Sequence, residues 1–163
     1  MMWLIRAGKD AVYYDVFMNS QKVYLPWCGF NLDLSSFTNP KEFRTVVEKE
    51  KENSNRTSIS NWAGQLYSFV RRIQIGDYVL IPTKGSHCYC LSAIIGNYQY
   101  SDGNTNGLCH SRSIQILQRN IPKSIFPQAI IYSLGAYRTL FSVHHEETVK
   151  QLIEQWVTDQ GSK

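Results

Sequence analysis

The residues best suited to chemistry in this 163-residue chain are aromatic rings placed beside side-chain amides. Asn61 and Gln65 flank Trp62 and are four residues apart, so on a helix the two amides lie one turn apart and share a face. A carboxamide can pair with the edge of adenine or cytosine, and an indole can stack on a base. The segment is therefore suited to holding a flat, hydrogen-bonding ligand such as a nucleobase. The structural alternatives are core packing for Trp62, a helix cap for Asn61 and an internal hydrogen bond for Gln65.

Other candidate ligand contacts lie elsewhere in the chain. Trp27 is a second stacking candidate, with core packing as its alternative. Tyr98 and Tyr100 alternate onto one face of a predicted strand, and the loop that follows them, residues 101–108, could close over a ligand. Arg6 could bind a phosphate or a base, or it could form a salt bridge.

The net charge of +4 is unevenly distributed along the sequence. Residues 84–143 contain five Lys or Arg but a single acid, Asp102, as expected for a surface that contacts phosphates. Arg112, Arg119 and Lys123 are the candidate phosphate contacts in this segment, and a solvated surface is the alternative. Many proteins of similar charge bind no nucleic acid, so charge alone does not decide the function.

The sequence lacks the motifs of common enzyme and metal sites. The run HHEE at residues 144–147 does not have the H-E-x-x-H spacing of a zinc protease, and no G-x-S-x-G, P-loop or dinucleotide fingerprint occurs. Zinc is disfavoured because Cys88 and Cys90 share one face of a strand while His87 points to the other, and paired C-x-x-C motifs are missing. We therefore expect no catalytic residue, no cofactor and no metal, although distant residues could still converge into an acid–base pair.

The amino-terminal segment and the hydropathy indicate the compartment. Met1–Ile5 is too short for an export signal and Arg6 follows it at once, so the cysteines are expected to be reduced thiols. No apolar run approaches the roughly 20 residues of a membrane span. The sequence thus predicts a cytoplasmic protein with no membrane partner.

A helix must position the amide and aromatic cluster. Apolar spacing predicts this helix from Ser58, as its N-cap, through Arg72, with Trp62 on its apolar face. Gly76-Asp77 ends the helix, and the chain then continues as a buried strand.

The remaining pattern predicts a sheet with helices at both ends of the chain. Strands are expected at residues 3–7, 22–27, 77–82, 86–95, 98–100, 113–117 and 139–143, and further helices at 11–18, 40–52, 124–134 and 146–157. The strands follow one another too closely for repeated βαβ units, so the expected fold class is α+β: a small twisted β-barrel, mostly antiparallel, with flanking helices. Residues 1–143 are predicted to form this domain, and residues 144–163 an amphipathic helix that packs on it or leads to a partner domain.

Four short motifs in this order resemble a known family. They are WLIRAG at residues 3–8, NWAGQL at 61–66, IGDYV at 75–79 and IIGNYQY at 94–100. Together they look like the N-terminal recognition domain of modification-dependent restriction endonucleases, which belongs to the PUA-like group with EVE and YTH domains. The resemblance covers about residues 2–143. It implies a PUA-like barrel that binds nucleic acid and holds a modified base in an aromatic cage.

The resemblance also assigns residues. In YTH domains a basic residue and a small residue end the first strand, and a cage tryptophan ends the second; Arg6-Ala7 and Trp27 match these positions. Two departures are that Ala7 lacks the hydroxyl of a serine, and that the nearest aromatic to a second cage tryptophan is Tyr89. The expected base-binding residues are then Arg6, Gly8, Trp27, Asn61, Trp62, Gln65, Tyr89, Tyr98 and Tyr100.

The function expected from these observations is a sensor module that reads a modified base, flipped or single-stranded, in a restriction or defence system. We expect DNA rather than RNA as the partner. No P-D…E-x-K nuclease motif is present, so any nuclease would be another domain or a partner subunit. The alternatives are a module that binds a nucleotide signal or another protein, and a small enzyme acting on nucleic acid or nucleotides.

Overall fold

The computed structural model of the chain describes residues 1–27, 30–102 and 107–161, without the side chain of Ser86. Seven strands and five α-helices follow one another in these ranges. In chain order they are β1 (Met2–Ile5), α1 (Tyr14–Ser20), β2 (Lys22–Tyr24), α2 (Pro40–Glu50), α3 (Arg56–Tyr67), β3 (Tyr78–Pro82), β4 (Cys88–Ile94), β5 (Gln99–Tyr100), β6 (His110–Pro122), α4 (Gln128–Leu134), β7 (Leu140–Ser142) and α5 (Glu146–Gly161). Helix α3 runs directly into a turn of π-helix, Ser68–Arg72, which we call the π turn.

The strands form one mixed sheet in the order β2-β6-β4-β3-β1-β7, with β5 paired to β6. The β1–β3 pair is parallel and the other pairs are antiparallel. Strand β6 spans 13 residues and pairs with β4, β2 and β5 along different parts of its length. The predicted fold class is therefore confirmed as α+β, with a mostly antiparallel sheet and flanking helices.

The sheet is buried on both faces, as the first strand shows. Trp3 and Ile5 point into a core cluster that includes side chains of α1, α2 and α3. Met2 and Leu4 point the opposite way, into a second cluster that includes side chains of α4 and α5. This alternation follows from the two-residue repeat of a strand. Helix α5 thus packs on the sheet, and the division of the chain near residue 143 stays a prediction.

The two edge strands, β2 and β7, are joined by side chains. Trp27 follows β2 and its indole Nε1–H donates to Oγ1 of Thr139, which precedes β7, at 3.1 Å. The N–H of Leu140, at the start of β7, donates to Oε1 of Gln65 in α3 at 3.0 Å. Pairing an edge N–H with a side chain protects the edge of a sheet. The curl of the sheet therefore brings its two edges together beside α3.

The start of α3 differs from the prediction. The helix begins at Arg56 because the side chain of Asn55 accepts a hydrogen bond from the N–H of Ser58 at 2.8 Å, which makes Asn55 the N-cap. The prediction of Ser58 as the cap was wrong. Asn61 is consequently an interior residue of the helix, so the suggestion that it caps the helix was also wrong.

Three other boundaries differ for local reasons. Strand β2 ends at Tyr24 rather than at 27, since Pro26 follows and cannot donate to a ladder. Strand β6 is longer than the predicted 113–117, since three partner strands pair along it. The predicted helix 124–134 begins at Gln128, directly after Pro127. Residues 103–106 of the predicted loop 101–108 lie outside the described residues.

Replacing the helix cap is expected to lower stability. Asn55→Ala removes the acceptor for the Ser58 N–H, and losing an N-cap of this kind costs about 1 kcal/mol of the free energy of unfolding. Ser58→Ala is the matched control, because it keeps that N–H and is expected to change stability by less than about 0.5 kcal/mol. Urea denaturation measures both variants, and equal losses would contradict the assignment.

Candidate functional site

The ends of three strands meet at Thr139. Besides the bond from Trp27 to its hydroxyl, the backbone N–H of Arg6 donates to the Thr139 carbonyl at 2.8 Å. The two positions that matched the family motif, Arg6-Ala7 and Trp27, are separated in sequence but adjacent here. The region around Thr139, where the sheet edges meet, is therefore the candidate ligand site.

Trp27 lies beside Phe30 at this point, and Lys51 lies between Phe30 and Trp62; we call the three rings of Trp27, Phe30 and Trp62 the aromatic patch. The rings of Trp27 and Phe30 are 6.1 Å apart between centroids. The ammonium of Lys51 lies 5.8 Å from the Phe30 ring centroid and 5.1 Å from that of Trp62. Phe30 is buried, whereas both indoles are only half-buried. Both indoles pack in part against the first core cluster, and the flexible cationic side chain of Lys51 covers part of the Trp62 ring.

A cleft of about 530 Å³ opens next to the patch, and we call it the Asn61 cleft. The patch residues themselves do not line this cleft, but their chain neighbours do: Asn61 precedes Trp62 in α3, and Arg138 and Leu140 flank Thr139. Two arginines and a histidine line it, with no Asp or Glu among the lining residues. The lining comprises Trp3, Ser60, Asn61, Gly64, Gln65, Ser68, Arg72, Ser133, Ala136, Arg138, Leu140, Phe141, Ser142 and His144. Such a surface favours anions.

The two predicted amides have different surroundings. Gln65 is buried, and its Oε1 accepts from Leu140 while its Nε2 donates to the carbonyl of Asn61 at 3.4 Å. Both ends of this amide are therefore used inside the protein. Asn61 is exposed at the cleft, and its carboxamide has no hydrogen-bond partner within the part of the chain that the structure describes. Asn61 is the amide that remains available to a ligand.

Arg6 and Gly8 serve the local backbone. The Arg6 guanidinium donates to the carbonyls of Leu134 and Ala136, at 3.0 and 2.9 Å, and to that of Arg138 at 3.1 Å, so it caps the end of α4. Burial lowers the pKa of this group, against a smaller opposing effect of Tyr89. Gly8 has φ +80°, and a Cβ there would lie 2.8 Å from the Tyr13 ring. Both residues shape the rim of the site through these contacts.

Tyr98 and Tyr100 lie against a buried histidine. Their ring centroids are 5.7 and 5.5 Å from that of His110. The N–H of Leu34 donates to the Tyr98 oxygen at 3.3 Å, and that hydroxyl is 2.5 Å from His110 Nδ1. His110 Nε2 is 2.6 Å from the carbonyl of Phe30. The two tyrosines thus reach the aromatic patch indirectly, through the hydrogen bond to Phe30.

One assignment of protons satisfies this whole network. Nε2–H of His110 donates to the Phe30 carbonyl, and Nδ1 accepts from the Tyr98 hydroxyl, which requires the neutral ring. Burial lowers the pKa of His110 and raises that of Tyr98, so both groups are held uncharged. His110 therefore holds Phe30, and with it one wall of the patch, in place.

Tyr89 does not lie at the patch. Its ring packs against Phe126 at 6.0 Å in the second core cluster, and its exposed fraction is 5%. A ring in that position has no face open to a base.

The three predicted phosphate contacts do not form one surface. Arg112 is 3% exposed, while Arg119 is exposed and Lys123 is half-buried toward the other end of β6. Seven residues of strand place Arg112 about 23 Å from Arg119 along the sheet. The solvated-surface alternative is wrong for Arg112, because this side chain is buried. Phosphate binding by the three residues stays a prediction.

The sequence interpretation missed several residues that build the site. Phe30, Lys51 and Thr139 carried no recognisable signal, since each acts through a partner distant in the chain. The adjacent pair Cys109-His110 resembles zinc ligands in the sequence, whereas the His110 ring nitrogens bond to the Tyr98 hydroxyl and the Phe30 carbonyl.

Across residues 1–27, 30–102 and 107–161, no three His, Cys, Asp or Glu side chains are grouped to hold a metal ion. Cys28 lies outside the described residues. Of the helices in these ranges, none is both long enough and apolar enough to cross a bilayer.

Among solved structures the chain is similar to the YTH domain of a Zygosaccharomyces rouxii protein in complex with N6-methyladenosine RNA. The sequences are 11% identical over 93% of this chain and 85% of that one, with a TM-score of 0.46. A Pseudomonas putida protein is 11% identical over 94% and 99% of the two chains, with a TM-score of 0.42. An Agrobacterium tumefaciens protein is 12% identical over 94% and 91%, with a TM-score of 0.41. Likenesses this weak do not indicate a shared function.

The comparison with curated proteins finds no match. A family model does match, over residues 2–135, which is most of the chain and includes the aromatic patch, the π turn and β1 to β6. The chain therefore belongs to the family described as Domain of unknown function (DUF8426).

Proposed function

We propose that this protein is a nucleic-acid-binding module that holds one base, single-stranded or flipped out of a duplex, on the aromatic patch. The observation that carries the proposal is the position of Trp27 and Trp62. Both indoles are half-buried; Trp27 lies beside Phe30, and Trp62 lies beside Lys51, which also contacts Phe30. A cleft with no acidic lining residue is lined by Asn61, the neighbour of Trp62 in α3. A planar, partly anionic polymer fits such a surface better than a neutral or cationic ligand.

The energetics favour an unpaired base. Stacking on an aromatic side chain contributes roughly 1–3 kcal/mol per base, whereas flipping a base out of a duplex costs a few kcal/mol. Lys51 would have to leave Trp62, which costs about 0.5–1 kcal/mol for a cation–π contact at an exposed site. A methyl group on the base would add roughly 1 kcal/mol of apolar contact. These magnitudes permit preference for a modified base.

The Asn61 cleft supports the same ligand. The carboxamide of Asn61 can pair with a base edge, and Arg138 is an exposed cation at the rim for a neighbouring phosphate. The guanidinium of Arg72 lies 5.1 Å from the Trp3 ring centroid and donates to the Ser68 hydroxyl at 3.4 Å. It adds positive charge to the lining of the cleft.

The biological setting is proposed on the motif resemblance alone. We propose a cytoplasmic, non-catalytic sensor of a restriction or defence system that binds DNA more readily than RNA. Any nuclease would be supplied by another domain or by a partner subunit.

The experiment is a binding titration with short single-stranded oligonucleotides. Matched DNA and RNA strands with and without N6-methyladenine or 5-methylcytosine are compared between about 50 and 300 mM salt. We expect binding that weakens as salt rises, because phosphate contacts release counterions, and a tighter affinity for one modified strand.

Two results would contradict the proposal. The first is failure of every oligonucleotide to bind at low salt; binding of a free mononucleotide in the same assay would then favour the nucleotide-signal alternative. The second is equal affinity for all modified and unmodified strands, which would refute base reading.

A further inference from the structure

A second cleft lies on the other side of the π turn, around Arg112. This cleft has a volume of about 430 Å³. Arg112 is buried, with an exposed fraction of 3%. It lies on β6 opposite Val23 of β2. Its Nη1 donates to the carbonyl of Phe69 at 3.1 Å, and its Nε is buried with no hydrogen-bond partner within the described residues. A buried cation with an unpartnered donor is costly unless an anion completes it.

The π turn explains how Arg112 is held. The N–H of Ile73 donates to the carbonyl of Ser68 at 2.9 Å, five residues back, instead of to that of Phe69. The Phe69 carbonyl is thereby released from the helix ladder and accepts from Arg112. π-helical turns are frequent at functional sites. The same turn places Arg71 at this cleft and Arg72 at the Asn61 cleft.

The surroundings of Arg112 are polar and carry positive charge. Arg71, Gln74, Asn97 and Tyr98 line the cleft, and its lining includes no carboxylate. Arg71 is fixed by donating to the carbonyls of Ser35, at 2.5 Å, and Phe37. The cleft therefore holds two guanidinium groups in defined positions.

Two carboxylates lie near this cleft, and both have other partners. Asp77 accepts from Trp3 Nε1 and from the N–H of Gln74 through one oxygen, and from the amine of Met1 through the other. Asp33 is exposed and accepts from the N–H of Ser35 at 2.9 Å. Neither forms an ion pair with Arg112 or Arg71 in the described structure.

We propose that the Arg112 cleft binds a phosphate group, carried either by a nucleic-acid strand or by a free nucleotide. A tetrahedral oxyanion has the acceptors that a guanidinium fork needs, and it would supply the missing partner of Arg112 Nε. The exposed amide of Asn97 lies at the mouth of the cleft, where it can donate to the same group. This site is separate from the aromatic patch and does not depend on base reading there.

The test follows the Arg112 Nε–H signal of the full chain by NMR. The signal is assigned from its loss in Arg112→Met, and the probes are inorganic phosphate, a nucleoside 5′-monophosphate, and short oligonucleotides with 5′-phosphate or 5′-hydroxyl ends. Equal ionic strength is kept with chloride. We expect the signal to shift with at least one probe. A shift with phosphorylated ends but not hydroxyl ends identifies a terminal phosphate, and a shift with both kinds of strand identifies a backbone phosphate.

Arg112→Met could lose binding because it fails to fold, so a second variant keeps Arg112 and changes the mouth of the cleft instead. Asn97→Asp places a carboxylate at the cleft mouth with no change of size, and it is expected to weaken binding of the active probe at least about tenfold. Asn53→Asp makes the same charge change at an exposed position outside the cleft, and it is expected to leave that affinity within about twofold. No shift of Arg112 with any probe would overturn the proposal, and so would equal affinity in Asn97→Asp and Asn53→Asp.

Discussion

Trp62→Ala is expected to weaken binding of a single-stranded oligonucleotide by about 5- to 150-fold, which corresponds to the roughly 1–3 kcal/mol of one stacked base. The indole is half-buried, and Lys51 is the flexible side chain above it. Removing the ring deletes the surface on which the proposed base lies. Trp27→Ala should act in the same direction and also lose the bond to Thr139. Fluorescence anisotropy with labelled oligonucleotides measures both.

Trp156→Ala is the matched control for these variants. It removes another partly buried indole, but from α5, where the ring packs against the second core cluster on the opposite face of the sheet. Its affinity for the oligonucleotide is expected to stay within about twofold of wild type. An equal loss of affinity in Trp62→Ala and Trp156→Ala, with both variants folded by circular dichroism, would count against the aromatic patch.

His110→Ala is expected to lower the free energy of unfolding by about 2–5 kcal/mol. The change leaves the Phe30 carbonyl and the Tyr98 hydroxyl without their partner, at about 1–3 kcal/mol for each buried group. It also opens a cavity between the rings of Tyr98 and Tyr100. Tyr98→Phe removes one hydroxyl and should lower the free energy of unfolding by about half as much as His110→Ala. Urea denaturation measures the series, and a loss below about 0.5 kcal/mol in His110→Ala would refute the role of this network.

The same histidine gives a pH dependence with a defined sign. Because burial lowers the pKa of His110 in the folded protein, the unfolded chain binds the proton more tightly. The stabilisation is complete above the unfolded pKa of about 6.5 and is lost as pH falls below it. Wild type should therefore lose more stability than His110→Gln between pH 7.5 and 5.5. Parallel pH profiles for the two proteins would contradict this expectation.

Local sequence patterns were sufficient for much of the fold. Asn39 and Glu42 form a capping box at the start of α2, and Pro40 is its first residue; these positions are readable from residue type. The strand near Trp3 and the switch from helix to strand at Gly76 were predicted for similar reasons, since alternation and a glycine break are local signals. Choosing between Asn55 and Ser58 as the cap was not possible from pattern, because both residue types cap helices well.

The candidate site depends on contacts that no local pattern reports. Thr139 joins Trp27 across the sheet edges, 112 residues away in the chain. Buried Arg112 donates to the Phe69 carbonyl that the π turn releases, and the sequence around Arg112 gives no sign of that turn. Gln65 was readable as an amide at helical spacing, but its bond to Leu140 follows from the curl of the sheet. Residue type predicted the candidates, and tertiary contacts decided which of them face a ligand.

The most direct test of base binding at the aromatic patch is the set of four tryptophan indole Nε1–H signals in an NMR titration with the best-bound oligonucleotide. We expect the signals of Trp27 and Trp62 to shift or broaden at concentrations that match the measured affinity, while that of Trp156 stays in place. Saturating binding with the Trp27 and Trp62 signals unchanged would contradict it.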